Sequence, residues 1–253
     1  RRPAMALATR HSEYLSPEGL RGDGRRAAEV RRLRCRIGVL QEDGSAYVEQ
    51  GNTTVIACIS GPREARRRAG ASHDKALLTC EFEALPFATG QFKQPGRTDR
   101  NSTEIASAVR RIFEPVIQVQ LYPRTQIDIR LTLLQGDGGI SAACINATTL
   151  ALIDAGIAMQ DFVTACSAGS IQGALLLDLT GQEAIGGAEL CVGYLPRTQK
   201  LSFLQLEAKV PLTTLDEVMN FAVEGCRQIY EVLRDMVQMK MQEQLYTRGL
   251  INV

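Results

Sequence analysis

Apolar and polar residues alternate in several short runs of the chain. Ile127, Ile129, Leu131 and Leu133 are separated by Asp128, Arg130 and Thr132, a period of two that predicts a half-buried strand. Ser45–Gln50 and Thr53–Ser60 are strand-like runs joined by Gly51-Asn52, a hairpin signal. Ala76–Glu83 is another β-rich run. Ser102–Gln118 reads as a helix with Ser102 or Thr103 as its N-cap. Gly136-Asp137-Gly138-Gly139 then breaks the pattern, and a small-residue helix is predicted over Ala142–Ala155, closed by Gly156. Further strands fall near Phe162–Ser167, Gly173–Leu179, Leu190–Leu195 and Leu201–Leu206. The last element carries Leu215, Val218, Phe221, Ala222, Ile229, Leu233, Met236 and Val237 at helical spacing. It starts after Thr213-Thr214, with Asp216 and Glu217 placed well for the helix dipole. This order predicts an α+β fold with helices packed on mixed sheets.

Composition narrows the class. The 253 residues are 45% apolar and 23% charged, which excludes a disordered chain. No run approaches the roughly 20 apolar residues that span a bilayer, so no membrane partner is expected. The arginines near the start lack an apolar region behind them, so no secretory signal is expected. Residues 1–13 read as a flexible N-terminus, and Arg1–Ala4 ahead of Met5 as a cloning remnant. Seven cysteines at wide spacing contain no C-x-x-C pair and read as reduced thiols of an intracellular protein. With His11 and His73 as the only histidines, a His-rich metal site is excluded. For the same reason Cys166 and Ser167 lack a base that would make either a nucleophile.

The net charge of +1 hides an asymmetry. Residues 1–111 hold 20 Lys and Arg against 13 Asp and Glu, and residues 112–253 hold 9 against 15. Such polarity points to an anionic partner on one side. Arg63, Arg66, Arg67 and Arg68 follow Gly61-Pro62, and Lys93, Arg97 and Arg100 sit in a second turn-rich stretch. Arginine forks bind phosphate oxygens bidentately. Aromatic residues are 5%, with no tryptophan, so contact with a phosphate backbone, without sequence readout, is expected rather than base stacking. Two further features carry candidate chemistry. The glycines of Gly136–Gly139, leading from a strand into a helix, let backbone N–H groups approach an anion. They lack the lysine of a P-loop and the spacing of a dinucleotide fingerprint. Asp178, in the apolar run Leu175–Leu179, is costly unless paired or useful.

Together these motifs resemble the ribonuclease PH family. The resemblance begins with Glu18-Gly19-Leu20-Arg21-Gly22-Asp23-Gly24-Arg25-Arg26, Asp43-Gly44-Ser45-Ala46-Tyr47 and Gln50-Gly51-Asn52-Thr53. It continues through Gly61-Pro62-Arg63-Glu64, Tyr122-Pro123-Arg124-Thr125-Gln126-Ile127-Asp128 and Gln135-Gly136-Asp137-Gly138-Gly139. Asn146-Ala147-Thr148-Thr149-Leu150-Ala151-Leu152-Ile153-Asp154-Ala155-Gly156-Ile157 and Asp178-Leu179 follow in order. The match implies one ribonuclease-PH-like domain over residues 14–245, with 246–253 a C-terminal tail. It also implies two βαβ-type halves. Within the family the chain is similar to core ring subunits of the eukaryotic RNA exosome.

The resemblance implies a hexameric ring with other ribonuclease-PH-like exosome subunits, topped by RNA-binding cap subunits and associated with a hydrolytic nuclease. Single-stranded RNA threads the pore for rRNA processing and mRNA decay, in the nucleus, nucleolus and cytoplasm. Arg66, Arg67, Arg68, Lys93, Arg97 and Arg100 match RNA-contacting segments of the family. Active relatives use inorganic phosphate and often a divalent metal, and they carry Ser/Thr-Arg after the glycine pair. Here Ile140-Ser141 follow Gly138-Gly139, Asn101 stands at a second arginine position, and Ala184, beside Glu183, replaces a second acid. Each lost charged contact typically costs roughly 10²–10³ in rate. The site over Asn101, Gly138, Gly139, Ile140, Ser141, Asp178, Glu183 and Ala184 is therefore expected to be vestigial. The chain reads as a non-catalytic subunit that guides RNA, with no cofactor and no metal. The alternative is an active phosphorolytic 3′-to-5′ exoribonuclease using phosphate and magnesium, with Asp178 catalytic.

Overall fold

The computed structural model describes residues 14–16, 19–64, 75–89, 100–171 and 173–247. One layer is a five-stranded sheet of β1 (Leu33–Ile37), β2 (Gly44–Gln50), β3 (Thr53–Glu64), β4 (Leu77–Ala84) and β5 (Thr125–Gln135), in the order β1-β2-β3-β5-β4. Its pairings are antiparallel except β4 with β5. Parallel neighbours need a long crossover, and α1 (Arg100–Phe113) lies in this one. The second layer is an antiparallel sheet of β6 (Thr164–Ile171), β7 (Ala174–Leu177), β8 (Ala188–Leu195) and β9 (Lys200–Leu206), in the order β7-β6-β8-β9. Strands β7 and β8 both run against β6, hence along one another, and α3 (Gly181–Gly186) joins them. Each half thus carries a βαβ-type connection, and the fold is α+β as expected.

The predicted alternation is realised in β5, where Ile127, Ile129, Leu131 and Leu133 are buried. They meet Ala46, Val48, Val55, Ala57 and Ile59 in one core. Between the sheets lies α2 (Ile140–Asp154), which touches β2 and β3 on one side and β6 and β8 on the other. A helix enclosed in this way must be apolar all round, and α2 is buried from Ala142 through Leu152. Its polar residues are used internally. Asn146 donates to the Ala165 carbonyl at 2.9 Å and accepts the Ala165 N–H at 2.8 Å. Thr149 donates to the Val163 carbonyl at 2.6 Å. Gly156 closes the helix as predicted: its N–H reaches the Ile153 carbonyl, and the Ile157 N–H reaches that of Leu152. The last helix, α4 (Leu212–Thr247), packs Val218, Ala222, Cys226, Ile229, Leu233 and Val237 toward the second sheet and β1.

Several boundaries differ from the expectation. The predicted helix Ser102–Gln118 starts at Arg100 and stops at Phe113, because Pro115 disfavours helical geometry at Glu114. Val119–Leu121 forms a separate 3-10 turn. Helix α4 runs through Thr247, so Tyr246 and Thr247 are helical rather than part of a tail. Strand β1 and helix α3 were not predicted, although Leu33-Arg34-Cys35-Arg36-Ile37 does alternate. None of the seven cysteines is in a disulfide. Among the described residues no helix is long and apolar enough to cross a membrane.

Candidate active-site cleft

Four chain segments converge at the start of α2: the tip of the β2–β3 hairpin, the β5–α2 turn, the end of β7 and the segment before β1. Their junction is Asp178. Its carboxylate is fully buried and accepts from Arg31 Nη2 at 2.7 Å, Gln50 Nε2 at 2.9 Å and the Arg31 N–H at 2.8 Å. Its carbonyl accepts from Arg21 at 3.0 Å and from Arg25 at 3.2 Å. Burial works against the Arg31 charge, but the hydrogen bond and charge of Asp178 outweigh it and hold the guanidinium above its ordinary value.

The same side chains grip the glycine turn. Arg31 donates to the Asp137 carbonyl at 2.7 Å and to the Gly138 carbonyl at 3.3 Å. Thr53 Oγ1 donates to the Gly138 carbonyl at 2.8 Å and accepts the Asp137 N–H at 3.1 Å. The Asp137 carboxylate accepts from Asn52 and from the Gly181 N–H, each at 3.1 Å. No side chain fits at Gly138, whose φ is +76° and where an added Cβ would lie 2.6 Å from the Leu179 carbonyl oxygen. Gly139 is left-handed at φ 60°, ψ 28°, and α2 begins immediately after it. A left-handed residue followed by right-handed ones gathers successive N–H groups into an anion-binding concavity. The first amides of α2 have no helical acceptors and carry the positive end of its dipole.

A cleft of about 1270 Å³ opens beside this turn. Helix α1 lines it with Arg100, Asn101, Glu104 and Arg111, β8 and β9 line it with Glu189, Phe203 and Gln205, and Glu207 lines it just after β9. Gly138, Gly139, Ile140 and Ser141 lie between the two walls. Burial, and then the neighbouring Glu207, push the Glu189 carboxyl above its ordinary value, although Arg31 and the Gly139 N–H partly counter this. Ile140 packs back toward Gly136 and Leu133.

The structure divides the sequence-predicted site. Arg100, Asn101, Gly138, Gly139, Ile140 and Ser141 line the cleft, whereas Asp178, Glu183 and Ala184 do not. Asp178 lies behind the turn in its ion pair. Glu183 accepts from Arg21 Nε at 2.8 Å and from the Thr180 N–H at 2.8 Å. Burial opposes its ionisation, but Arg21 prevails and holds it below the ordinary carboxylate value. Arg66, Arg67, Arg68, Lys93 and Arg97 lie outside the described residues. Sequence reasoning missed Arg31, Arg111, Glu189 and Glu207. For Glu189 and Glu207 the signal was two acids in the flanks of apolar strands. Burial pushes the Cys166 thiol well above its ordinary value, which disfavours the thiolate that a nucleophile requires.

Residues 29–158 match the RNase PH 3′ exoribonuclease family, domain 1, and residues 161–225 match domain 2 of the same family. The chain is 45% identical over 234 residues to exosome complex component RRP41 of Bos taurus, covering 91% of this chain and 96% of that one. It is 37% identical over 238 residues to exosome complex component Rrp41 of Pyrococcus furiosus, covering 93% and 95%. An Archaeoglobus fulgidus exosome structure with RNA bound to the active site shares its fold, with TM-score 0.73 and 21% identity, covering 85% of this chain and 92% of that chain.

These matches correct the expectation that the chain is no enzyme. Both halves match a family described as 3′ exoribonucleases, and the likeness to an archaeal exosome component spans nearly the whole length. The expectation rested on missing side chains at Asn101, Ile140 and Ala184. The cleft has backbone donors at the turn, Arg100 next to Asn101, and Glu189 on the opposite wall. With both family domains matched in sequence order, the chain belongs to the RNase PH family of 3′ exoribonucleases.

Proposed function

We propose that this chain is a ring subunit of an RNA exosome whose cleft takes the 3′ end of single-stranded RNA for phosphorolytic, 3′-to-5′ shortening. One observation carries the reading: the Gly138–Ser141 turn, which leads into the N-terminal amides of α2, opens into a cleft that also holds Arg100, Arg111 and the acid Glu189. The exosome names of the relatives and the RNA in the Archaeoglobus structure support the assembly and the ligand.

The chemistry follows from the groups present. Hydrogen phosphate attacks the phosphorus of the terminal nucleotide. The bond to the O3′ of the preceding nucleotide breaks, O3′ takes up the proton lost by the attacking phosphate, and a nucleoside diphosphate leaves. The amides of the turn from Gly138 to Ser141 and the Ser141 hydroxyl hold phosphate oxygens where negative charge gathers. Arg100 and Arg111 neutralise the RNA backbone from α1. The described residues contain no group of three or more His, Cys, Asp or Glu suited to a metal. Magnesium, however, needs only one or two carboxylates plus substrate phosphates and water, and Glu189 with Glu207 would hold it. When bound, it would offset phosphoryl charge. Arg66, Arg67, Arg68, Lys93 and Arg97 guide the strand toward the cleft by sequence-independent contact. Other ribonuclease-PH-like subunits, cap subunits and a hydrolytic nuclease complete the assembly, in nucleus, nucleolus and cytoplasm.

The test is release of nucleoside diphosphate from 3′-labelled single-stranded RNA by the chain paired with its ring partner, with and without phosphate and magnesium. Product that depends on phosphate and is lost in Glu189→Gln is expected. RNA binding without any phosphate-dependent product would overturn the phosphorolytic reading.

A further inference from the structure

We propose that Arg31, which does not line the cleft, is a positioning residue that aims the amides of the Gly138–Gly139 turn at an incoming phosphate. The inference rests on the reading of the cleft as a phosphate site.

The geometry carries it. Arg31 draws the carbonyl oxygens of Asp137 and Gly138 to its own side, at 2.7 and 3.3 Å. A trans peptide is planar, with its N–H opposite its C=O. The N–H groups of Gly138 and Gly139 belong to those same two peptides, so they are turned away from Arg31. The Gly139 N–H accordingly lies on the side of Glu189, whose charge it favours and which lines the cleft. Arg31 is itself held by Asp178, through its side chain at 2.7 Å and its backbone N–H at 2.8 Å. Gln50 bonds the same carboxylate at 2.9 Å.

Stability alone does not explain this node. A buried ion pair is often no more stable than apolar residues of the same volume. Asp178 has φ +51°, a strained value for a residue other than glycine. Arg31 Nε, Gln50 Oε1 and Ser167 Oγ are buried without hydrogen-bond partners, which is unusual in a native interior. Three unfavourable features thus gather where the chain needs one exact backbone orientation, a pattern expected of functional sites.

The test uses the full chain in three forms: wild type, Arg31→Lys and Thr53→Val. Lysine keeps the buried charge but loses the planar fork that reaches Asp178 and both carbonyls at once. Valine removes the hydroxyl that bonds the turn and accepts from Arg31 Nη1 at 3.2 Å, and it leaves the Arg31 Nη2 contact with Asp178 in place. Each is titrated with inorganic phosphate by ³¹P NMR, with single-stranded RNA by fluorescence anisotropy, and melted thermally. Arg31→Lys is expected to weaken phosphate binding about tenfold or more, as loss of a supporting contact does at other sites. Thr53→Val is expected to weaken it several-fold with little change in thermal midpoint. RNA affinity is expected to change less than phosphate affinity in both. Unchanged phosphate affinity in folded Arg31→Lys and in Thr53→Val overturns the inference alone. If Arg31→Lys does not fold, Thr53→Val decides by the same criterion. A wild-type chain that binds no phosphate overturns the reading of the cleft, and the inference with it.

Discussion

Arg31 and Asp178 join the two halves of the molecule: one precedes the first sheet and the other follows β7, and they meet side chain to side chain at 2.7 Å. Both side chains are almost wholly buried. The pair therefore works as a bolt between halves as well as a brace for the glycine turn.

Removing one partner leaves the other charge buried and unpaired. Asp178→Ala is expected to lower unfolding free energy by about 3–5 kcal/mol, measured by urea denaturation. A single substitution that left stability unchanged would contradict the bolt.

Glu189 gives a pH signature of its own. Its folded value lies above the ordinary 4.5 because burial and Glu207 disfavour its charge. Above pH 4.5 the folded state therefore binds more protons than the unfolded state, and stability falls as pH rises. Glu189→Gln removes this effect. Its thermal midpoint is expected to exceed that of wild type at pH 8 and to approach it at pH 4.5. A gap that widened toward acid would refute the assignment.

Gly138 is pressed by the backbone of the β7–α3 segment. Gly138→Ala places a Cβ 2.6 Å from the Leu179 carbonyl oxygen at φ +76°, so the turn must move. The expected loss is roughly 1–3 kcal/mol, together with weaker phosphate binding. Denaturation and ³¹P titration check the two effects separately.

Salt dependence separates backbone contact from other modes of RNA binding. Arg100→Gln with Arg111→Gln is expected to weaken single-stranded RNA binding. It should also flatten the slope of log affinity against log salt by roughly one to two. An unchanged slope would place the RNA elsewhere.

Asn146 ties α2 to β6 through two reciprocal hydrogen bonds to Ala165. Asn146→Ala strands a buried N–H and a buried C=O, each costing about 1–3 kcal/mol. Calorimetric unfolding is expected to show the loss.

Much of the framework was legible because it depends on near neighbours in the chain. The two-residue spacing of Ile127 to Leu133 marked β5, Gly51-Asn52 marked the hairpin whose ends Gln50 and Thr53 pair, and Gly156 marked the end of α2. Motif order also located the glycine turn and Asp178. What each would face was not legible. Asp178 reads as a catalytic candidate in a list of motifs, yet folding carries Arg31, 147 residues away, onto its carboxylate and closes it off from the cleft. Glu189 reads as an ordinary strand residue until β8, α1 and the start of α2 enclose it. The sequence by itself determined the elements, the family and the turn, since these follow from local periodicity and from glycine's backbone freedom. Only the tertiary structure decided which acids are paired and which line the cleft, because ion pairs and burial depend on contacts that chain spacing does not encode.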